Sequence, residues 1–227
     1  MTPASRPMAR QRLLLLDLDN TLIDRAALFR GWAADFLERH RLDTRDVDWL
    51  VERDGDGLVA KDVFFDQVRA RYGLHATTAA LQADYYARYP AFTVPPSAAT
   101  VEALATVRER RWRLGIVTNG PPMQDAVVDN AGLRTLVDTV CVSATVGLRK
   151  PDPAIFLLAA EQCGADAGGN WMIGDSPGHD IAGAFAAGMR AGWIARGRSW
   201  TAAGDRPTLI ADDVPRAVTM LLADDAA

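Results

Sequence analysis

The sequence predicts an α/β protein: a Rossmann-like parallel sheet with an inserted α-helical cap domain between its first two strands. Three observations carry this. Short, unbroken apolar runs recur along the chain and end in small or polar residues. Unbroken rather than alternating apolarity marks strands buried on both faces. Segments with helix punctuation separate these runs, and strand–helix–strand repetition builds an open sheet with helices on both sides. Residues 25–93 alone break the rhythm, with helical stretches and no convincing buried strand.

The first run is 13–17, Leu-Leu-Leu-Leu-Asp. Helical stretches follow at 26–39, 61–72 and 77–89, in a segment that holds 11 of the chain's 17 aromatics, all four tyrosines among them. Aromatics in such density are more often core than substrate platform. Pro90, Pro95 and Pro96 close the segment. The expected division is a helical cap over 25–93 and a core over 1–24 and 94–227. The core continues with runs at 114–118, 140–143 and 171–175 and a weaker one at 191–194. The segment 121–132 begins with Pro and ends with Gly. Asp152 can cap a helix with Pro153 at its first position, Ile155, Phe156 and Leu158 in its body and Gly164 just beyond. Asp24, Asp152 and Asp166 are read as helix caps or solvated turns.

Composition narrows the function classes. At 227 residues, 49% hydrophobic and 24% charged, the chain is an ordinary globular protein, and its net charge of −4 gives no general attraction to nucleic acid or an acidic membrane. Counter-charge for an anionic substrate must then be local. The first twelve residues have no apolar h-region and the run 13–16 is too short to span a bilayer, so a cytoplasmic location is expected. Cys141 and Cys163 lie in apolar contexts without a CxxC spacing and read as buried free thiols. Of 25 basic residues only Lys61 and Lys150 are lysines, which suggests a need for a compact ammonium at those positions.

In open α/β sheets the ligand sits beyond the carboxyl ends of the strands. The residues where apolar runs stop are Asp17 and Asp19, Thr118 and Asn119, and Asp175, with Lys150 just before a helix start. Clustered carboxylates raise one another's pKa unless a cation joins them. With oxygen donors only, Mg²⁺ is the natural guest, and it leaves coordination positions for phosphate oxygen. Thr118, the Asn119 backbone N–H and Lys150 can donate to a phosphate. A carboxylate can serve as nucleophile, and a second one two residues on can protonate a leaving alkoxide and then activate water.

The segments Asp17-Leu18-Asp19-Asn20-Thr21, Thr118-Asn119-Gly120, Lys150-Pro151 and Gly174-Asp175-Ser176-Pro177-Gly178-His179-Asp180 resemble, in order, the four motifs of the haloacid dehalogenase-like (HAD) hydrolases. The resemblance covers roughly residues 11–24 and 97–220, and the insertion sits where that family places its helical C1 cap. It implies Asp17 as nucleophile and metal ligand. Asp19 would be the acid/base, lending the metal its backbone carbonyl. Thr118 and Lys150 would hold the phosphoryl group, Asp175 would complete the metal site, and Asp180 would orient the shell around metal and lysine. Asn20 in place of the commoner Gly, and His179 before Asp180, depart from the pattern without changing a charge the mechanism needs. An Asp at 19 favours phosphate release, because a departing halide needs no acid.

Two rival motifs fail. Gly174-Asp175-Ser176-Pro177-Gly178 matches a G-x-S-x-G elbow, but the oxyanion hole would need an N–H from Pro177, and no His follows His179. The stretch 52–63 echoes a calcium loop but ends in Val63 where a bidentate Glu is required. The expected function is a Mg²⁺-dependent phosphatase acting on a small phosphorylated metabolite, as monomer or homodimer. A phosphomutase, a haloacid dehalogenase and a non-catalytic phospho-ligand binder of the same fold remain the alternatives. Lys61, Arg25 or Arg30 are candidates to read the leaving group, with a solvated helix face as the plainer reading.

Overall fold

The computed structural model describes residues 11–225. Residues 1–10, which carry most of the reading about a leader, and residues 226–227 lie outside the described residues. Six parallel strands, β1 (Leu13–Leu16), β2 (Arg113–Thr118), β3 (Thr139–Val142), β4 (Trp171–Gly174), β5 (Arg190–Ile194) and β6 (Leu209–Ala211), form one sheet in the order β3-β2-β1-β4-β5-β6. The chain winds outward from β1 through β2 to β3, then crosses back to place β4 on the other side of β1. The strand order therefore reverses between β1 and β4, and a crevice opens beyond their carboxyl ends.

The leucines of β1 show why an unbroken apolar run reads as a two-sided strand. All four are fully buried. Leu14 and Leu16 pack into one core layer with Leu104, Val107 and Ile116, and Leu13 and Leu15 into the opposite layer with Ile155, Phe156 and Met172. Each buried leucine contributes about 1.5–3 kcal/mol of hydrophobic stabilisation. The first layer is covered by α5 (Ala98–Glu109), α6 (Gln124–Asn130) and α10 (Val214–Asp224), the second by α8 (Pro153–Gln162) and α9 (Ala182–Ala186). Asp152 caps α8 through Ala154 N–H at 2.9 Å, and Gly164 beyond it adopts φ +66°. A short helix, α7 (Ser143–Val146), follows β3. Cys141 and Cys163 are buried free thiols.

Between β1 and α5 the chain forms α1 (Arg25–Arg39), α2 (Val47–Asp54), α3 (Lys61–Tyr72) and α4 (Thr78–Arg88). Asp24 caps α1 through Ala27 N–H at 3.0 Å. The helix buries Leu28, Phe29, Trp32, Ala33, Phe36 and Leu37, the i, i+3, i+4 stripe of an amphipathic helix. Trp32 is the centre of an aromatic cluster, with ring centroids of Phe29 at 5.3 Å, Phe36 at 5.2 Å, Phe65 at 5.9 Å and Tyr85 at 4.8 Å. Such edge-to-face and tilted pairs add about 0.5–1.5 kcal/mol each beyond area burial. Most of the aromatics of this insertion are thus buried core, in one cluster with the Leu14 and Leu16 layer of the sheet. Among the described residues no helix is long and apolar enough to cross a membrane.

Several elements go unnamed in the sequence reading, and two of them show why. β6 is three residues long at the sheet edge, too short to show as an apolar run. α2 buries only Leu50 and Asp54, so its eight residues show almost no apolar stripe.

Candidate active site

Asp17 leaves the carboxyl end of β1, and its N–H donates to Ile173 O of β4 at 2.9 Å, so the strand pairing continues one residue past the assigned strands. Asp17 is 6% exposed. Oδ1 lies 2.5 Å from Lys150 Nζ, and Oδ2 accepts from Thr21 Oγ1 at 3.2 Å. Lys150, 3% exposed, also lies 2.7 Å from Asp180 Oδ1. Asp180 Oδ2 accepts from Ser176 N–H at 2.9 Å, which ties the Lys150 loop to the turn after β4. Carboxylate oxygens of Asp17, Asp175 and Asp180 lie within 4.8 Å of one another. Residues separated by more than 150 positions therefore meet in one pocket. The Asp19 carboxylate is outside that group.

Electrostatics explain what the cluster lacks. Burial pushes Asp17 above the usual carboxylate range, against the pull of the Lys150 ammonium. Burial and the neighbouring Asp180 push Asp175 up to about 6, with Arg198 opposing. Burial alone would lower Lys150, but Asp17 and Asp180 outweigh it and hold the ammonium charged. Three carboxylates converge, two of them also on Lys150, and oxygen is the only donor type, so the set fits a hard divalent cation.

Asn20 stands at the sharp turn after Asp19 with φ +61°, a left-handed conformation that Asn tolerates and most residues do not. That accounts for its exchange with Gly. Its side chain donates to Asp56 Oδ2 at 2.8 Å, linking the turn to the insertion. Asn119 and Lys150 form a reciprocal pair: Asn119 Nδ2 donates to Lys150 O and Lys150 N–H donates to Asn119 Oδ1, both at 2.9 Å. The Asn119 side chain thus sets the position of the lysine loop. Thr118 is 1% exposed at the end of β2. Ser176, the serine of the failed elbow motif, accepts from His179 N–H at 3.3 Å and caps the turn.

Gly174 exists for the sake of Asp180. A Cβ at 174 would fall 2.3 Å from Asp180 Oδ2 and 2.7 Å from its Cβ. Gly174→Ala is expected to displace Asp180 from Lys150 and destabilise the fold by about 1–3 kcal/mol, the usual cost of overpacking. A urea midpoint lowered by that amount divided by the m-value would show it, and an unchanged midpoint would contradict it.

These residues line a cavity of about 1070 Å³ that also touches Arg25, Asp56, Gly57, Leu58 and Tyr86 of the insertion. A second cavity of about 210 Å³ lies against Asp19 and is lined by Arg25, Lys61, Tyr85, Tyr86, Tyr89 and Gln124, among others. Of the three cations considered for the leaving group, Arg25 and Lys61 reach this wall. Both are tied to Asp54, Arg25 at 2.8 Å and Lys61 at 2.5 Å. Arg30 instead pairs with exposed Asp48 and lines neither cavity. Asp54, which also accepts from Gly57 N–H at 2.8 Å, is an ion-pair centre rather than a calcium ligand.

Three site residues carry no signal in the linear pattern. Arg198 donates to Asp175 O at 3.0 Å and Oδ2 at 3.2 Å, from a loop after β5. Gln124 donates to Asp19 Oδ2 at 2.6 Å. Asp54 is paired only through the fold of α2 against α1 and α3.

Fold and site together define an α/β protein with an acidic, lysine-bearing pocket at the point where strand order reverses, suited to an anionic substrate. The chain belongs to the haloacid dehalogenase-like hydrolases, a family that matches it over residues 11–188. It is 40% identical over 95 residues to a phosphoserine phosphatase of Thermus thermophilus, covering 41% of this chain and 38% of that one. The chain thus spans under two fifths of that relative's length. It is 33% identical over 198 residues to a phosphoglycolate phosphatase of Rhodospirillum rubrum, covering 78% and 77%. Among solved structures, the HAD-hydrolase YfnB of Bacillus subtilis, bound to magnesium, superimposes with a TM-score of 0.77 at 22% identity, covering 94% of this chain and 99% of that one. The chain is an enzyme of this hydrolase family, whose relatives include named phosphatases.

Proposed function

We propose that the enzyme is a Mg²⁺-dependent phosphatase that cleaves a small phosphorylated metabolite through an aspartyl-phosphate on Asp17. The observation that carries the reading is the convergence of the Asp17 and Asp175 carboxylates within 4.8 Å, beside Lys150. Asp17 attacks phosphorus as the ester P–O bond breaks, and the electron pair leaves with the alcohol oxygen. Asp19 supplies the proton to that oxygen, then takes one from the water that attacks the aspartyl-phosphate, freeing inorganic phosphate and Asp17. Lys150, Thr118 and the Asn119 N–H hold the phosphoryl oxygens, and Asp180 holds Lys150. A divalent ion held by Asp17, Asp175 and the Asp19 carbonyl would neutralise charge on the phosphoryl group.

The helical insertion acts as the cap, covering the reaction from water and selecting the alcohol. The cavity of about 210 Å³ beyond Asp19 presents Arg25, Lys61 and Tyr86, side chains suited to polar groups on a leaving alcohol. Asp19 weighs against dehalogenation. A phosphomutase would return the phosphate to its substrate, whereas a phosphatase releases it. All site groups come from one chain, so neither a nucleic acid, a membrane nor a second subunit is needed, and monomer or homodimer both suit the reading.

The test is phosphate release from a panel of phosphorylated metabolites with Mg²⁺. Turnover is expected to vanish in EDTA and return with Mg²⁺. Full turnover in EDTA, or tight binding without release on every ester, would refute the reading. The pH dependence has a defined sign. Burial holds the Asp17 and Asp175 carboxyls above the usual range, so as pH falls an incoming ion must displace protons from them. Apparent Mg²⁺ affinity is expected to fall by about tenfold per pH unit for each proton displaced. A thermal-shift titration should therefore show a smaller Mg²⁺ effect at pH 5 than at pH 7.5.

A further inference from the structure

We infer that Gln124 is a positioning residue for the acid step, holding the Asp19 carboxyl in the orientation from which it serves the leaving oxygen. The inference rests on the phosphatase reading above. Gln124 opens α6 and is 3% exposed. Its Nε2 donates to Asp19 Oδ2 at 2.6 Å and lies 3.5 Å from Thr118 Oγ1, so one amide bridges the acid and a phosphate-holding hydroxyl. Asp19 Oδ1 is buried and has no hydrogen-bond partner among the described residues.

These contacts divide the two carboxyl oxygens. An amide N–H directed at Oδ2 takes one of its two lone pairs and fixes the rotation of the carboxyl group. When the ester bond breaks, the proton passes from the Asp19 carboxyl to the leaving oxygen, which takes the bond's electron pair. The resulting carboxylate keeps its hydrogen bond from Gln124.

The backbone is shaped for this contact. A Cβ at residue 120 would lie 2.6 Å from Gln124 Cγ, so the glycine of the Thr118-Asn119-Gly120 segment makes room for the glutamine side chain. Gln124 N–H donates to Pro121 O at 3.1 Å, anchoring the residue at the start of its helix. Gln124 Oε1 is buried without a described partner. Leaving a buried polar atom unpaired is costly, which argues against a role in stability alone.

The test uses leaving-group dependence in Gln124→Met, which removes the donor and keeps the length, with Gln124→Glu as a second variant that replaces the donor by an acceptor. The full-length protein with Mg²⁺ is assayed on phenyl phosphate and p-nitrophenyl phosphate, esters of similar shape. Nitrophenolate departs without a proton, whereas phenolate is a poorer leaving group. The reading is kcat/KM, which reports only steps up to aspartyl-phosphate formation. Both variants are expected to lose about tenfold or more on phenyl phosphate beyond any loss on the nitrophenyl ester, a part of the 10²–10⁴ that general acid catalysis contributes. Equal losses on both esters, or no loss on either, from whichever variant folds, would overturn the inference while leaving the phosphatase reading intact. A wild type inert on both esters would overturn the phosphatase reading, and this inference with it.

Discussion

Asp17→Asn is expected to abolish turnover, by at least about 10⁴-fold, while the protein stays folded. The substitution keeps the shape of the side chain and its place beyond β1 but removes the attacking oxygen anion. The fold should tolerate it, because Asp17 is pushed above the usual carboxylate range by burial and its ionised form is not a source of stability without metal. Removing it also relieves repulsion with Asp180 and Asp19, which oppose its charge. Lys150 keeps Asp180 at 2.7 Å as its partner. Rapid quench with a ³²P-labelled ester gives the sharper measurement: the wild type should trap label on protein and the variant none. Labelled Asp17→Asn protein, or a rate within tenfold of wild type, would remove Asp17 from the role of nucleophile.

Lys150→Met should show the largest effect on stability. The ammonium lies between Asp17 and Asp180, and all three are nearly inaccessible. Deleting one partner of a buried ion pair typically costs about 3–5 kcal/mol, because the remaining charge stays desolvated. Two carboxylates would be stranded here. They can escape by taking up protons, so the deficit relative to wild type should shrink as pH falls. The sign follows from Asp17: its carboxyl, already raised by burial, loses the cation that pulls it down, so the folded variant binds protons more tightly than the unfolded chain. Urea unfolding at pH 8 and pH 5 measures this, and an equal deficit at both would contradict it. Mg²⁺ should restore part of the stability by replacing one cation with another, without restoring full turnover.

How much of this was legible beforehand depends on the range over which each residue acts. Asp17, Thr118 and Asp175 end apolar runs, and a carboxylate or hydroxyl there is visible because the strand needs only its own neighbours to be recognised. The caps at Asp24 and Asp152 are legible for the same reason, since each contact spans two or three residues. Gln124 and Arg198 reach partners 105 and 23 residues away, and nothing in their local sequence distinguishes them from solvated side chains. Among the three cations weighed for the leaving group, only packing separates Lys61 and Arg25, drawn inward by buried Asp54, from Arg30 on the surface. β6 escaped because an edge strand of three residues needs β5 to define it.

The reciprocal amide link between Asn119 and Lys150 bears on how such an enzyme can diversify. It ties two loops of the sheet together, and on the proposed reading that unit would grip the phosphate, whereas just over half of the smaller cavity's lining comes from 25–93. Grip and choice are thereby encoded in separate stretches of the chain. Drift within the helical stretch can retune which alcohol is accepted while the grip stays intact, so one scaffold can acquire new preferences without passing through an inactive ancestor.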